Sequence, residues 1–422
     1  MQGKRISFRM AVAVAVLSAL TLIAGTRAGA QAEKVLHSFN TNSSGATGPL
    51  SGIISDAAGN LYGTTVSGGT GYTICGYGCG VVFELMPKTG GGWAEKVLHN
   101  FGNGQDGYFP FGGLIFDAAG NLYGTTAAGG TGAGGIVFEL IPTASGNWTE
   151  EILHNFTSDT SDGAAPQASL MFDAAGNLYG TTTQGGGPGH EGTVFELGPG
   201  ANGVWSERII HSFDAQDQDG TIPTGTLVSD TVGNLYGTTE TGGAGTCDCG
   251  TVFELSPRAD GQFAYEILYN FEGGPNDGMF PFGGVIFHSG NLYGTTYQGG
   301  PDGYGTAFAL SWKADSGWHE TGLYFFDGED GKDPGAGLTV DHAGNLYGTT
   351  ILGGTNDYGT AFKLTPIAGG SWTETTLHNF GDRTTDGQSP RAGLVFAAPG
   401  DLYGTTFQGG VAGGGTVFEI LP

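Results

Sequence analysis

Six aspartates recur in the phrase Asp-Gly-x-x-Pro, and their carboxylates are the groups of this sequence best suited to bind a cation or the hydroxyls of a sugar. They are Asp106, Asp162, Asp219, Asp277, Asp330 and Asp386. In equivalent loops of a repeating fold they would form a ring on one face. Alternatively, each carboxylate accepts hydrogen bonds from the N–H groups of its own turn. Because the phrase repeats, the sequence favours this structural role.

The densest acidic loop contains Asp214, Asp217 and Asp219. Such a loop resembles the oxygen-rich loops that bind Ca²⁺, but it lacks the full EF-hand pattern and the distal glutamate. The sequence favours a solvated loop, and Ca²⁺ is the cation predicted if the loop binds one. No other cofactor is predicted.

Histidines and glutamates recur in two adjacent strand-like runs and could form pairs. The histidines are His37, His99, His154, His211 and His378, and the glutamates are Glu84, Glu139, Glu196, Glu254 and Glu419. A His–Glu pair could perform acid–base catalysis. Catalysis needs one special site, however, and this pair recurs, so we expect structural pairing and predict no catalytic residue. Motifs for phosphate loops, nucleophile elbows, HExxH zinc sites and dinucleotide binding do not occur in the sequence.

The elements that position these residues are set by a repeat. Asn-Leu-Tyr-Gly-Thr-Thr starts at six positions, and Asp401 starts a seventh copy with Asp in place of Asn; the six are Asn60, Asn121, Asn177, Asn234, Asn291 and Asn345. Each period of about 56 residues holds four short strand-like runs, A to D, separated by turn residues. This pattern predicts an all-β, seven-bladed β-propeller with four antiparallel strands per blade.

The two ends of the repeat array complement each other. A lone D strand is predicted over residues 34–39, and the array finishes on a C strand over residues 416–420. We therefore expect the N-terminal strand to become the outer strand of the last blade and to close the ring. We also expect glycines in strand B, such as Gly63, to allow close approach of adjacent blades. The aromatic ends of strands C and D should fill the space between blades.

The B–C loops vary most between repeats and share a face with the D–A loops. Their tyrosines are Tyr72, Tyr77, Tyr304 and Tyr358. With the six aspartates they are the predicted ligand-binding residues, because variation on a fixed scaffold is where propellers place specificity. We predict an extracellular ligand, and we rank a glycan ahead of a protein. A propeller enzyme acting on polysaccharide and a purely structural surface repeat are the alternatives.

Four cysteines interrupt the repeat: Cys75 and Cys79 in the first B–C loop, and Cys247 and Cys249 in the fourth. In an exported chain they indicate disulfides, for which three pairings exist. Because the first and fourth blades should lie far apart, we predict Cys75–Cys79 and Cys247–Cys249.

Residues 1–30 have the features of a secretory signal peptide. They combine a basic start, an apolar run and a small-residue cleavage site near Ala30. Residues 31–422 are predicted to form one propeller domain that is secreted or periplasmic, monomeric and without a transmembrane segment. The formal net charge of −26 argues against nucleic acid and anionic membranes as partners.

Asn-Leu-Tyr-Gly-Thr-Thr, the Gly-Gly pair after it and Gly-Thr-Val-Phe-Glu-Leu together resemble the bacterial GloVer tandem repeat of choice-of-anchor repeat proteins. The resemblance covers nearly all of the chain after residue 30. It implies an exported or cell-surface, propeller-like protein, often with a C-terminal sorting anchor, and no known enzymatic activity. The sequence stops at Leu421-Pro422, directly after strand C, so we expect free secretion rather than anchoring.

Overall fold

The computed structural model describes residues 33–41, 45–157, 159–200, 203–245, 247–397 and 400–421. Within these ranges nearly all regular structure is β, arranged as seven antiparallel sheets in a ring. A one-turn α-helix at Tyr72–Cys75 and a 3-10 turn at Ala215–Asp217 lie in loops. The predicted seven-bladed β-propeller is confirmed. The predicted signal peptide, residues 1–30, lies outside the described residues.

Each blade has four strands in the order A-B-C-D from the central channel outward. The A strands are Ile54–Ser55, Ile115–Phe116, Met171–Phe172, Val228–Ser229, Ile286–His288, Thr339–Val340 and Val395–Phe396. The B strands are Leu61–Thr65, Leu122–Thr126, Leu178–Thr182, Leu235–Thr239, Asn291–Thr296, Leu346–Thr350 and Leu402–Thr406. The C strands are Val81–Pro87, Ala133–Pro142, Thr193–Pro199, Thr251–Pro257, Thr306–Lys313, Thr360–Pro366 and Gly413–Ile420. The D strands of blades 1 to 6 are Trp93–Asn100, Trp148–Thr157, Trp205–Ser212, Phe263–Asn270, Gly317–Phe325 and Trp372–Asn379.

The ring is closed by the strand Lys34–Asn40, which serves as strand D of blade 7. It pairs antiparallel with Gly413–Ile420, for example Lys34 with Glu419 and Ser38 with Thr416. The Thr405 hydroxyl of blade 7 also donates to the Ser51 carbonyl of blade 1 at 2.9 Å. The predicted closure is therefore confirmed, and it leaves no open edge between the last blade and the first.

The D–A and B–C loops lie side by side on one face, because short two-residue strands join them. Four such pairs are Ala46–Thr47 with Ser67–Gly68, Gly163–Ala164 with Gln184–Gly185, Gly278–Met279 with Gln298–Gly299, and Gly387–Gln388 with Gln408–Gly409. Single bridges replace them elsewhere: Tyr108 with Ala128, Thr221 with Thr241, and Lys332 with Leu352. We call this surface the loop face.

The repeated phrase joins each blade to the next. In blade 1 the Tyr62 hydroxyl donates to Glu84 at 3.0 Å, while its ring packs edge-on against Phe116 of blade 2. The Thr64 hydroxyl donates to the carbonyl of Gly112, which precedes strand A of blade 2. The same threonine bond recurs from blades 2, 4, 5, 6 and 7 to the blade that follows.

Phenylalanines fill the space between blades, as predicted. The phenylalanine after each strand D lies against that of strand C in the next blade, with ring centroids 5.0–5.4 Å apart; the pairs are Phe39–Phe83, Phe101–Phe138, Phe156–Phe195, Phe213–Phe253, Phe271–Phe308, Phe326–Phe362 and Phe380–Phe418. Edge-to-face geometry suits aromatic pairs. The role predicted for the strand-B glycine needs correction. A Cβ at Gly63 would lie 2.7 Å from Phe83 of the same blade, so the glycine makes room for that ring rather than for the neighbouring blade.

Both predicted disulfides are present. Cys75 pairs with Cys79 in blade 1, and Cys247 pairs with Cys249 in blade 4. Cys79 and Cys249 are fully buried at equivalent positions, directly before the glycine that opens strand C. No helix in the described ranges has the length and apolar character that a membrane crossing requires.

Candidate functional site at the channel mouth

Seven residues of six types meet at the mouth of the central channel, on the loop face. Each follows the proline before strand A: Leu50, Phe111, Gln167, Thr224, Phe282, Gly335 and Arg391. The proline fixes the position by packing on the glycine that opens strand C of the preceding blade. Gly80, for instance, has φ 99° and lies where a Cβ would meet Pro110 at 2.6 Å. A repeated scaffold thus presents non-repeated chemistry at one point.

Below these side chains the channel wall is made of small residues. Pairs such as Gly112-Gly113 and Ala336-Gly337 precede strand A and line the cavity, which has a volume of about 640 Å³. Their carbonyls are largely occupied by the threonine bonds between blades. The wall therefore supplies shape, while the mouth supplies chemical selectivity.

A second set of cavity-lining side chains comes from the position that follows Asn-Leu-Tyr-Gly-Thr-Thr. Glu240, Tyr297 and Ile351 occupy this position in blades 4, 5 and 6 and line the cavity. Burial raises the pKa of the Glu240 carboxyl. Among the described residues that line the cavity, Glu240 is the one carboxylate and Arg391 the one cation.

A second cavity of about 760 Å³ adjoins the first over blades 3 and 4. The two share five residues, Gln167, Thr224, Glu240, Thr241 and Phe282. The second cavity adds polar side chains from the B–C loops, namely His190, Glu191 and Asp248. Together the cavities form an elongated cleft from the channel mouth across the loop face.

The six predicted aspartates lie on the loop face, but their carboxylates are turned into their own loops. Asp106 accepts from the N–H groups of Gly102 and Asn103 at 2.9 and 2.8 Å. Asp386 is 2% exposed and accepts from Gly381 and Gly387. Asp162, Asp219, Asp277 and Asp330 accept equivalent backbone bonds. The geometry favours the structural role, and ligand binding by these aspartates stays a prediction.

The predicted tyrosines are placed on the loop face outside both cavities. Tyr77, Tyr304 and Tyr358 are 85%, 38% and 42% exposed. Tyr304 packs on Gly328, and Tyr358 packs on Gly381. Tyr72 lies in the one-turn helix, and its side chain is outside the described part of the chain. The role of these tyrosines in binding stays a prediction.

In the predicted Ca²⁺ loop, Asp214 caps the 3-10 turn by accepting from the N–H of Gln216 at 2.8 Å. Asp219 contacts the His211 Nε2 atom at 2.8 Å. The Asp217 side chain is outside the described part of the chain. Ca²⁺ binding at this loop stays a prediction.

The expected pairing of histidine with the strand-C glutamate is wrong. His99 lies opposite Val82, because a β-bulge shifts the register of the C–D hairpin. Glu84 instead lies opposite Lys96 and accepts from Tyr62. The histidines contact the aspartates of the D–A loops, as at His211–Asp219 and His378–Asp386.

Sequence reasoning missed the residue after each proline. The signal was available, because Asp-Gly-x-x-Pro is followed by one variable residue and then two small ones in most copies. Variation at a single position within a repeated phrase indicates a position that the scaffold does not need. Its convergence at the channel mouth depends on the closed ring.

Solved structures that resemble this chain have low sequence identity to it. The periplasmic gluconolactonase of Pseudomonas aeruginosa is 17% identical over 85% of this chain and 96% of its own, with a TM-score of 0.46. A putative oxidoreductase (glucose dehydrogenase) of Thermus thermophilus is 17% identical over 76% and 97%, with a TM-score of 0.43. A protein of unknown function from Dyadobacter fermentans is 11% identical over 92% and 98%, with a TM-score of 0.45.

No curated protein matches the chain in sequence. The model of the Gloeobacter/Verrucomicrobia repeat matches three overlapping stretches, residues 21–247, 206–319 and 312–422. These stretches include every blade and each copy of the repeated phrase. The chain therefore belongs to the Gloeobacter/Verrucomicrobia repeat family.

Proposed function

We propose that this protein is an exported, non-enzymatic binding protein whose ligand is a carbohydrate held at the channel mouth. One observation carries the proposal: seven equivalent positions, each fixed by a proline, present six different residue types to one cavity. A scaffold role alone would not require this diversity, whereas recognition of one asymmetric ligand would.

The lining chemistry supports a neutral, hydroxyl-rich ligand. Phe111, Phe282 and Tyr297 offer aromatic faces, and Gln167 and Gln298 offer amides that both donate and accept hydrogen bonds. Phe282 is 42% exposed, so part of its ring is available to a ligand. The combination of apolar faces with a few polar groups matches the usual anatomy of a small-molecule site.

The elongated cleft supports an oligosaccharide rather than a single sugar. A ligand seated at the channel mouth could extend over blades 3 and 4 toward His190 and Asp248. The net charge of −26 argues against polyanions such as nucleic acid.

Export is supported by the N-terminal sequence and by the two disulfides. Disulfides persist in oxidising compartments, so both bridges are compatible with an extracellular location. Secretion or release into a periplasm, and a monomeric state, are parts of this proposal.

Glu240 supports a second candidate function, a propeller enzyme that acts on polysaccharide. A buried carboxyl with a raised pKa is a feature of general acids. Glycoside hydrolysis, however, normally uses a pair of carboxylates around the scissile bond. Glu240 is the one carboxylate in the described lining of the first cavity. Of the two that the second cavity adds, Glu191 accepts from the N–H of Ala215 and Asp248 is exposed. We therefore rank binding first.

The test is a glycan array followed by calorimetry on the mature protein. Phe282→Ala and Arg391→Ala should weaken binding of any glycan found by at least tenfold. Val232→Ala is the matched control, since Val232 is exposed in an A–B turn, on the face opposite the loop face. Silence on the array and against cell-wall preparations would overturn the binding proposal. Glycan cleavage that disappears in Glu240→Gln would establish the enzyme instead.

A further inference from the structure

Each strand D contacts both neighbouring blades through polar side chains. In blade 1, Glu95 contacts His37 of blade 7 at 3.0 Å, while His99 faces Glu150 of blade 2 at 3.6 Å. Residues four apart on a regular strand point to the same side. Here the β-bulge between Val97 and His99 turns them to opposite sides. Every C–D hairpin carries the same shift, including that of blade 7.

The bulge brings three potential ligands together at three of the interfaces. In the group between blades 6 and 7, formed by Glu33, His378 and Asp386, the glutamate is already bonded to Arg383. Between blades 1 and 2 the ligands are His99, the D–A loop carboxylate of Asp106, and Glu150. Between blades 2 and 3 they are His154, Asp162 and Glu207. In each group the three donor atoms lie within 4.8 Å of one another.

The facing atoms in the groups between blades 1 and 2 and between blades 2 and 3 are buried and lack hydrogen bonds. They are His99 Nε2, Glu150 Oε1, His154 Nε2 and Glu207 Oε1. The His99 Nε2 atom lies 3.3 Å from Asp106 Oδ2, and His154 Nε2 lies 3.5 Å from Asp162 Oδ2. These separations exceed the usual N–H···O limit of about 3.2 Å. A buried polar atom left without a partner is costly, so a further ligand at these atoms would stabilise the interface.

Two other interfaces of the same ring show what happens without a free third ligand. Between blades 3 and 4 a tyrosine, Tyr265, replaces the glutamate, and His211 closes onto Asp219 at 2.8 Å. Between blades 6 and 7 the third residue, Glu33, is bonded to Arg383, and His378 closes onto Asp386 at 3.0 Å. At these four interfaces, the histidine and aspartate atoms stay beyond hydrogen-bond distance only where the third residue is a glutamate that bonds to no other side chain.

We propose that His99, Asp106 and Glu150 bind one divalent transition-metal ion, and that His154, Asp162 and Glu207 bind a second. One imidazole and two carboxylates form a donor set that suits Zn²⁺. Bonds of about 2.1 Å in tetrahedral geometry place ligand atoms about 3.4 Å apart, close to the separations observed. Ca²⁺ prefers six to eight oxygens and fits these sites poorly.

The surroundings support a bound cation. The second oxygen of Asp106 is oriented by the N–H groups of Gly102 and Asn103, as outer-shell bonds orient metal ligands. Burial, followed by the charge of Asp106, raises the pKa of Glu150 to about 7. Burial, followed by the charge of Asp162, does the same for Glu207. A cation would stabilise the ionised form of both carboxyls. Since each ion takes ligands from two blades, it would hold their outer edges together.

The experiment is titration of the chelator-treated, full-length mature protein with Zn²⁺ by calorimetry, with metal counted by native mass spectrometry. We expect two equivalents. Glu150→Gln and Glu207→Gln should each bind one equivalent, and the double variant none at these sites. His211→Gln is the matched control, because its interface lacks the glutamate, and it should keep two. All four cysteines are in disulfides, so thiolates do not compete.

Anomalous scattering at the zinc edge fixes the location of the ions in crystals. Density at both groups would support the proposal. Density only at surface histidines such as His190 or His319, or two equivalents retained by the double variant, would overturn it. Far-UV circular dichroism confirms that each variant is folded, and Ca²⁺ serves as a cation that should not displace Zn²⁺.

Discussion

The interfaces between blades are built on one backbone pattern, yet they differ in chemistry. At the histidine interfaces, between blades 1 and 2 and between blades 2 and 3, an imidazole faces two carboxylates without closing on either. At the tyrosine interfaces, between blades 4 and 5 and between blades 5 and 6, a phenol takes its place. There the Tyr324 hydroxyl donates directly to Asp330.

The difference shows that the strand-D residue, His or Tyr, and the third residue facing it from the next blade together decide how the interface carboxylates are satisfied. A phenol is a hydrogen-bond donor at neutral pH, so the protein itself satisfies the aspartate carboxylate. An imidazole beside a glutamate that bonds to no other side chain offers a lone pair and leaves room for a cation, whereas His211 and His378 close onto their aspartates. The repeat can therefore keep its architecture while individual interfaces acquire separate properties. Four predictions examine this comparison, in order of decreasing effect.

The aspartate is common to both kinds of interface, so its removal should lower the free energy of unfolding most. At a histidine interface, Asp162→Ala removes the acceptor of the Thr157 and Gly163 N–H groups. At a tyrosine interface, Asp330→Ala removes the acceptor of the Tyr324 hydroxyl and of the Asp327 N–H group. We expect each variant to lose about 3 kcal/mol in free energy of unfolding, measured by urea denaturation with tryptophan fluorescence. Asp302→Ala, at an exposed B–C loop, is the control; a large difference between the two variants would contradict a shared role.

Removing the phenol hydroxyl should affect only a tyrosine interface. Tyr324→Phe deletes the donor to the partly buried Asp330, and we expect a loss of about 2 kcal/mol by the same measurement. Tyr77→Phe is the control, since Tyr77 is largely exposed. An equal loss in both variants would show that the Tyr324 bond contributes nothing specific.

Converting one kind of interface into the other sharpens the comparison. His99→Tyr should let a phenol donate to Asp106, and we expect a gain of about 1 kcal/mol in the metal-free protein. The same change should abolish the Zn²⁺-dependent rise in melting temperature that the interface between blades 1 and 2 contributes. A variant that still binds two equivalents of Zn²⁺ would argue against His99 as a ligand.

The smallest effect concerns pH at the tyrosine interfaces. Burial, followed by the charge of Asp277, raises the pKa of Glu320 to about 7. Burial also raises the pKa of Glu374 to about 7, and the charge of Asp330 raises it further. The hydrogen bond from Thr376 acts in the opposite direction. The folded protein thus holds these protons more tightly than the unfolded chain does. Their stabilising contribution is complete below about pH 4.5 and is lost as the pH rises through 7.

Glu320→Gln and Glu374→Gln should accordingly flatten the fall in melting temperature between pH 5 and pH 8. We expect both variants to be slightly more stable than the parent protein at pH 8. Glu266→Gln, on the exposed side of strand D in blade 4, is the control. A parent protein whose melting temperature rises between pH 5 and pH 8 would contradict this prediction.

The sequence was sufficient to predict the fold because the decisive features are periodic or local. The repeated phrase gave the blade count, and the unpaired strand at residues 34–39 gave the closure. The distance between the first and fourth blades excluded the crossed pairings and left Cys75–Cys79 and Cys247–Cys249.

The chemistry between blades could not be predicted, because it depends on register. A β-bulge in strand D turns His99 toward Glu150 of the next blade, and nothing in simple alternation reveals a bulge. The channel mouth has a different cause. Residues such as Phe111 and Arg391 are far apart in sequence and meet only once the ring is closed.

The strand Lys34–Asn40 also has a consequence for the time course of synthesis. More than 370 residues separate it from Gly413–Ile420, the only strand it pairs with among the described residues. At roughly 5–20 residues per second, the ribosome supplies that partner roughly 20–75 seconds later. During this delay the early segment has no β-sheet neighbour, and the final blade is the last to assemble. A chaperone that binds nascent extended segments would find its target here rather than in the six blades that complete themselves as they emerge.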